Sequence, residues 1–198
     1  MTPRNDLGSR VEQRIRESMA VKEALLRDKE LIGLISEVGR DWAEVLRRGH
    51  RAFLFGNGGS AADAQHIAAE LVGRYLGDRP GLPVVALTAN TSSLTAIAND
   101  YSYDAVFARQ LEALGSAGDM AIGISTSGSS RNVLLAIDAA KRKGMTSVAL
   151  TGQGGGQLKD LADRCICVPS ADTPRVQEVH ILIGHILCEI VEAELFGG

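Results

Sequence analysis

Residues 52–70 read AFLFGNGGSAADAQHIAAE, which is an apolar run, a glycine-rich turn and an alanine-rich run in succession. The pattern predicts a buried strand over Ala52–Phe55 and a helix that begins near Ser60. In this arrangement a ligand meets backbone amides at the helix N-terminus, and Gly58 and Gly59 carry no side chain to block it. Ser60 can cap the helix or donate its hydroxyl to a ligand. The turn therefore predicts an anion-binding loop, with a plain capped turn as the alternative.

One turn into the same predicted helix, His66 and Glu70 stand four residues apart. Residues at this spacing lie on one helix face. An imidazole beside a carboxylate is suited to metal binding or to acid/base chemistry. The alternative is a surface pair that contributes a few tenths of a kcal/mol to helix stability.

Apolar runs alternate with amphipathic helical runs along the rest of the chain. We predict strands at 52–55, 83–87, 120–124, 146–150 and 165–168, and helices at 60–75, 91–98, 105–114, 131–143, 158–162 and 175–195. This alternation indicates an α/β fold with a five-stranded, mostly parallel sheet between two layers of helices, which is a doubly wound three-layer arrangement. Ligands of such sheets bind at the carboxyl ends of the strands.

Residues 10–48 are predicted to be helical, with a break near Asp28. An apolar stripe with spacings of three and four runs along the second part of this region, at Leu31, Ile35, Val38, Trp42 and Val45. The stripe favours packing against a core, with subunit association as the alternative. We expect a single domain over 1–198, made of an N-terminal helical arm at 1–48 and an α/β core at 49–198.

Composition excludes several classes of function. The chain has 198 residues and a net charge of −3, which argues against a mainly electrostatic nucleic-acid or membrane-surface protein. Three cysteines in no common zinc framework suggest free thiols in a reducing compartment. No signal peptide is evident, and the most apolar run, Val179–Val191, is too short to span a bilayer. We expect a cytoplasmic protein with neither nucleic acid nor membrane as its partner.

A second polar stretch, STSGSS at 125–130, directly follows the predicted strand at 120–124. Hydroxyls and free amides at a helix N-terminus suit a phosphate, whose charge the helix dipole favours. The alternative is a connecting loop with one capping serine, but five hydroxyl residues exceed what capping requires. The stretch lacks the Gly-Lys-Ser/Thr of a nucleotide-binding P-loop, and residue 61 is Ala where G-x-G-x-x-G has its last Gly. These departures argue against nucleoside triphosphates and dinucleotides.

A third stretch, QEVHILIGH at 177–185, lies in a helix that is apolar on nearly every side. Polar side chains in such a buried helix need partners. Gln177 and His185 are eight residues apart and point roughly the same way, whereas His180 lies on a different face. Spacing alone leaves open which histidine has a functional role.

Taken together, GNGGSAADAQH-x-AAE, STSG-x-S and the closing R-x-QE-x-H-x4-H resemble the sugar isomerase (SIS) domain family over nearly the whole chain. Within it they resemble the members that convert sedoheptulose 7-phosphate into D-glycero-D-manno-heptose 7-phosphate, the first step toward ADP- or GDP-activated heptose. The resemblance implies a flavodoxin-like fold and a homotetramer with active sites between subunits. It also implies one Zn²⁺ per subunit.

Site residues carried over from the resemblance fall into three groups. The zinc ligands would be His66, Glu70, Gln177 and His185. The residues lining the sugar site would be Asn57, Gly58, Gly59, Asn99 and Asp100, with Glu70 and Gln177 also meeting substrate. The phosphate-binding residues would be Ser60, Ser125, Thr126, Ser127 and Ser130.

The reaction implied is an enediol proton transfer between C1 and C2, which needs a base, an acid and a group that holds the developing oxyanion. By resemblance Glu70 is the base and His185 the acid. Some members carry an aspartate where this chain has Pro174, and Asp172 is displaced from that place. The alternative function is a non-catalytic SIS-domain regulator, or a tetramer that binds the replication initiator.

Overall fold

A computed structural model describes residues 7–197 of the chain. The helices are α1 Leu7–Arg27, α2 Lys29–Arg47, α3 Gly59–Val72, α4 Thr91–Asp100, α5 Val106–Leu114, α6 Arg131–Arg142, α7 Leu158–Leu161 and α8 Thr173–Phe196. The strands are β1 Ala52–Gly56, β2 Val84–Ala86, β3 Met120–Ser125, β4 Thr146–Thr151 and β5 Arg164–Cys167. A short 3-10 turn over Tyr103–Ala105 joins α4 to α5.

The five strands form one sheet in the order β2-β1-β3-β4-β5, and every neighbouring pair is parallel. The predicted three-layer α/β fold is thereby confirmed. Strand order reverses between β1 and β3, which is where open α/β sheets bind ligands. Gly56 pairs with Ile124 across these two strands, so the loops that follow them start level with each other.

Each face of the sheet is covered by its own hydrophobic core. One core joins α2, α3 and α8 to strand residues such as Leu54 and Ile122. The other joins α5, α6 and α7 to residues on the opposite face such as Phe53 and Phe55. Consecutive strand residues point to opposite faces, so an apolar run without alternation fills both cores.

The N-terminal helices behave differently from each other. Asp28 breaks the helical region as predicted, because its side chain caps α2 by accepting a hydrogen bond from Leu31 N at 2.9 Å. The α2 stripe packs into the core, where Val38 and Trp42 are fully buried, whereas α1 buries only Leu25. The boundary of the arm at residue 48 stays a prediction.

Two elements are each two residues shorter than the sequence indicates. Strand β2 covers three residues of the predicted 83–87, and α3 ends at Val72, since Gly73 turns the chain away from the helix. Within residues 7–197, no helix is both long enough and apolar enough to cross a membrane.

Candidate active site

The loop after β1 brings backbone close to neighbouring backbone at the switch point. Gly58 has φ of +56°, a conformation that favours glycine, and α3 begins at the next residue. A Cβ atom at Gly56 would lie 2.7 Å from the carbonyl oxygen of Ile124, so β1 and β3 can approach here only with a glycine. Ser60, in the first turn of α3, is 3% exposed.

Asn57 in this loop is held by two other segments. Its Nδ2 donates to Asn132 Oδ1 at 2.9 Å, and Asn132 Nδ2 donates back to Asn57 Oδ1 at 2.8 Å. The hydroxyl of Tyr103 also donates to Asn57 Oδ1, at 3.0 Å. Since Asn132 lies in the first turn of α6, these bonds join the loops that follow β1 and β3.

The predicted phosphate loop after β3 forms a cluster of hydroxyls. Ser125 Oγ lies 2.9 Å from Ser130 Oγ and 3.5 Å from Ser127 Oγ, and Ser127 Oγ accepts from the backbone N–H of Ser129 at 3.2 Å. Ser125 is buried, Thr126 and Ser130 are half-buried and Ser127 is exposed. The hydroxyls thus run from the sheet edge to the surface at the start of α6, where the helix dipole favours an anion.

A glycine-rich segment after β4 packs against this serine loop. Gly152 N–H donates to Thr126 O and Leu158 N–H donates to Gly128 O, both at 3.0 Å. Gly128 has φ of +65°, and a Cβ atom there would overlap the carbonyl oxygen of Gly155. The shape of the serine loop therefore depends on close contact between two backbones.

His66, Glu70 and His185 meet on adjacent helices. His66 Nε2 lies 3.1 Å from Glu70 Oε1 and 3.0 Å from His185 Nε2. One ligand atom from each residue lies within 4.8 Å of the others, so the three can hold a metal ion together. Two imidazoles and a carboxylate are a common zinc donor set. A Cβ atom at Gly184 would lie 2.5 Å from Ile67 Cδ1, which shows that helices α3 and α8 approach closely here.

Gln177 lies two turns before His185 and contacts the first loop. A Cβ atom at Gly59 would lie 2.5 Å from Gln177 Nε2, so the amide packs directly on this glycine. The pairs Gly59–Gln177 and His66–His185 have nearly the same separation in sequence, which means that α3 and α8 run parallel. Gln177 therefore lies at the end of the α3–α8 pair that is next to the glycine-rich loop after β1. Its role as a fourth metal ligand stays a prediction.

Asn99 and Asp100 end α4, where Asn99 Nδ2 donates to Asp100 Oδ1 at 2.9 Å. Both residues are exposed, and the segment that follows them carries Tyr103, which reaches Asn57. The assignment of Asn99 and Asp100 to the sugar site stays a prediction.

Behind the histidines, a buried ion pair fixes the segment that follows α3. Arg79 Nε lies 2.8 Å from Glu192 Oε1, and these side chains are 2% and 9% exposed. Glu192 also accepts backbone N–H bonds from residues 75, 76 and 77, and Arg79 donates to the Glu70 carbonyl oxygen at 3.0 Å. Tyr75 on this segment stacks on His185, with ring centroids 5.8 Å apart. The network therefore holds the ring of Tyr75 against His185, one of the proposed metal ligands.

The two histidines of α8 lie in different environments. His180 is fully buried, and its Nε2 lies 3.0 Å from the Thr151 carbonyl oxygen, whereas His185 faces His66. Burial lowers the pKa of His180 to about 4, and the hydrogen bond to Thr151 only partly opposes this. His180 is therefore a neutral core histidine at physiological pH.

Cysteine nucleophiles are excluded at two positions. The three cysteines are free thiols, as predicted. Burial raises the pKa of Cys165 to about 12 and that of Cys188 to about 12. Both remain protonated at neutral pH, and a protonated thiol is a poor nucleophile.

Four residues beside the predicted site were missed by sequence reasoning: Asp63, Tyr75, Tyr103 and Asn132. Asp63 precedes His66 by three residues and shares its helix face, a spacing that could have revealed it. Burial raises the pKa of Asp63, partly opposed by His66, and its Oδ2 is buried without a hydrogen-bond partner among residues 7–197. The other three reach the site through tertiary contacts that no local spacing encodes.

Fold and site together define a parallel α/β protein with a hydroxyl-rich loop at its switch point and a metal-competent cluster on two adjacent helices. A family model described as SIS domain matches residues 18–152, and the chain belongs to this family.

Relatives across the whole chain narrow the assignment. The chain is 54% identical to a phosphoheptose isomerase from Sulfurimonas denitrificans, over 94% of this chain and 96% of the relative. It is 55% identical to a phosphoheptose isomerase from Aneurinibacillus thermoaerophilus, over 94% of each. The solved phosphoheptose isomerase of Neisseria gonorrhoeae superimposes with a TM-score of 0.89 at 41% identity, over 94% of this chain and 99% of that one. The chain is thus an isomerase of the phosphoheptose isomerase group.

Proposed function

We propose that this isomerase converts sedoheptulose 7-phosphate into D-glycero-D-manno-heptose 7-phosphate and supplies activated-heptose biosynthesis. The observation that carries the proposal is the cluster of His66, Glu70 and His185, which lies on helices α3 and α8. Helix α3 begins at the glycine-rich loop after β1, where we place the sugar. His66 follows Gly59 by seven residues, or about 10 Å along α3. A seven-carbon sugar phosphate has its reacting carbons and its phosphate at opposite ends, which suits an elongated site of this kind.

The isomerisation needs one group that moves a proton between the two carbons and one that moves a proton between their oxygens. Glu70 is proposed to take the proton from C1 and return it to C2, and His185 to protonate the developing oxyanion at O2 and then to accept the proton of O1 as the aldehyde forms. His66 lies about 3 Å from both groups, so the two proton carriers are held close together. Tyr75, stacked on the imidazole of His185, restricts the orientation of that ring.

His66, Glu70 and His185 fit a zinc ion through their donor types and their mutual proximity. We propose that they hold it with Gln177 as the fourth ligand. When bound, such an ion orients sugar oxygens and polarises a carbonyl. A residue that is both ligand and proton carrier would alternate between these roles during turnover.

The serine loop is proposed to bind the phosphate, through the hydroxyls of Ser125, Thr126, Ser127 and Ser130 together with Ser60. Its support is the hydroxyl cluster at the start of α6, held by backbone contacts with the glycine segment after β4. Phosphate binding far from the reacting carbons can supply energy to position them. Asn57, Gly58, Gly59, Asn99 and Asp100 are proposed to line the sugar between these two ends.

A homotetramer with active sites between subunits is proposed, and the exposed face of α1 supports association between copies of the chain. An apolar row lies along this face, with 54–74% of each residue accessible: Leu7, Val11, Ile15, Met19 and Leu26. Contiguous exposed apolar surface of this kind marks association sites. Light scattering coupled to gel filtration tests the assembly, and a mass other than that of four subunits would contradict it. A cytoplasmic location stays a prediction.

The function is tested by incubating the purified, zinc-supplied protein with sedoheptulose 7-phosphate and detecting the aldose product. We expect turnover, and we expect Glu70→Gln and His185→Gln each to abolish it while the unfolding temperature stays near that of the parent. Chelator treatment should remove activity, and added zinc should restore it. A protein with no turnover but tight binding to the replication initiator would support the alternative instead. Retained activity in either variant would disprove the role assigned to that residue.

A further inference from the structure

Three segments of the chain converge on the amide of Asn57 at the carboxyl edge of the sheet. Asn57 itself follows β1, Asn132 follows the serine loop after β3, and Tyr103 lies between α4 and α5. The bonds are 2.8–3.0 Å long. Asn132 is 3% exposed, so its half of the reciprocal amide pair is shielded from competing water.

The amide group of Asn57 has its acceptor positions filled but not all of its donor positions. A side-chain carbonyl oxygen offers two lone pairs and the amide nitrogen two N–H donors. Oδ1 of Asn57 receives two hydrogen bonds, from Asn132 and Tyr103, whereas Nδ2 gives one, to Asn132. The acceptor is therefore filled and one N–H is left over. With all three bonds in place, Asn57 meets a ligand only as a hydrogen-bond donor.

Tyr103 is the member of this network whose position is least explained by packing in the hydrophobic cores. It is 57% exposed and belongs to neither hydrophobic core. Its hydroxyl nonetheless reaches across to the first loop from a turn that starts three residues after Asp100. The bond links the segment carrying Asn99 and Asp100 to the glycine-rich loop.

We propose that Tyr103 is a positioning residue for the sugar end of the active site. Its hydroxyl fixes Asn57 as a donor toward a sugar oxygen and holds the segment at 99–103 beside the pocket. This inference rests on the proposed isomerase function, because it assigns the sugar to the region around Asn57. Loss of the hydroxyl frees an acceptor on Asn57 and removes the hydrogen bond between this segment and the first loop, while the serine loop and the histidine cluster keep their contacts.

The test compares Tyr103→Phe with Tyr101→Phe in the full-length, zinc-supplied protein. Tyr101 is a matched control, since it is 61% exposed, lies two residues away and packs its ring under the Arg109 guanidinium at 3.8 Å, a contact that phenylalanine retains. Loss of one hydrogen bond predicts that Tyr103→Phe raises KM for sedoheptulose 7-phosphate about five- to tenfold, with kcat changed less than about twofold. Tyr101→Phe should leave both constants unchanged.

Two further readouts separate positioning from general destabilisation. Inhibition by inorganic phosphate should be equal in all three proteins, because the serine loop is unaltered. Amide hydrogen exchange of the peptide covering 98–106 should be faster in Tyr103→Phe than in Tyr101→Phe. Equal KM values for the two variants, or a parallel loss of phosphate inhibition, would overturn the proposal.

These readouts also distinguish failure of this proposal from failure of the proposed function. A parent protein without turnover refutes the isomerase assignment. The exchange measurement then decides the positioning role by itself: faster exchange only in Tyr103→Phe supports the link between segments, and equal exchange in the two variants overturns it.

Discussion

Replacing Gly59 with alanine tests whether the position of the Gln177 amide controls the reaction. The new Cβ atom would lie 2.5 Å from Gln177 Nε2, 2.9 Å from its Cδ and 3.1 Å from its Oε1. Non-bonded heavy atoms prefer a separation of about 3.5 Å or more, so the amide must retreat by about 1 Å. The displaced group is the far end of a flexible side chain, which can move without moving a backbone.

The expected effects on stability and activity therefore differ sharply. Alanine in place of glycine at the start of α3 contributes about 0.4–1 kcal/mol by restricting the unfolded chain, which offsets the cost of moving Gln177. The free energy of unfolding should change by less than about 1 kcal/mol. A shift of about 1 Å in a group that positions the reaction can lower the rate by up to about 100-fold. We expect kcat/KM for sedoheptulose 7-phosphate to fall between about 10- and 100-fold.

A double-mutant cycle with Gln177→Ala isolates the cause. If Gly59→Ala acts by displacing the amide, it should have no further effect in a protein that lacks the amide. We would measure kcat/KM and urea unfolding for the parent, both single variants and the double variant. Equal losses from Gly59→Ala in both backgrounds would refute the reasoning, because the new methyl group would then act on the sugar directly.

Three further predictions concern stability and loop shape. Gly128→Ala should weaken inhibition by inorganic phosphate at least tenfold, because its φ of +65° and its contact with Gly155 leave no room for a methyl group; unaltered inhibition would contradict this. Glu192→Ala should cost about 3–5 kcal/mol in urea unfolding by leaving the Arg79 charge buried and unpaired, and Glu192→Gln should cost less. Burial lowers the pKa of His180 from 6.5 to about 4, so the unfolded chain binds a proton that the folded chain does not, and stability falls as pH decreases through this window by up to about 3 kcal/mol. Urea midpoints at pH 7 and 4.5 should show a smaller fall in His180→Gln than in the parent, and equal falls would refute the assignment.

Much of the fold follows from periodicity. Strands such as Met120–Ser125 are buried along their whole length, so their sequence is a continuous apolar run, which is typical of parallel sheets covered on both faces. Features that depend on distant contacts were harder to predict. The course of the chain after α3 is one example, since Gly73 ends the helix but residues 75–77 are fixed by Glu192, a residue more than a hundred positions away.

The candidate site was predictable to the extent that its residues lie in local motifs. His66 and Glu70 share a helix face, and the serine loop follows a strand, so both could be found from spacing. The choice of His185 over His180 rested on family resemblance, and the structure adds a physical reason, because His180 is buried against the Thr151 carbonyl oxygen. Tyr103 and Asn132 could not be found this way, since their bonds to Asn57 depend on how three separate segments of the chain pack together.

The parallel packing of α3 and α8 links the two ends of the proposed site. Because the helices keep the same register from Gly59–Gln177 to His66–His185, a shift of α8 along α3 would move the proposed sugar contact and the proposed proton carrier together. The close approach of Gly184 to Ile67 and the ion pair of Glu192 with Arg79 oppose such a shift at two levels of the pair. A sugar bound at the loop end would therefore find the reacting groups at a fixed distance, which is the condition for using binding away from the reacting carbons to orient them.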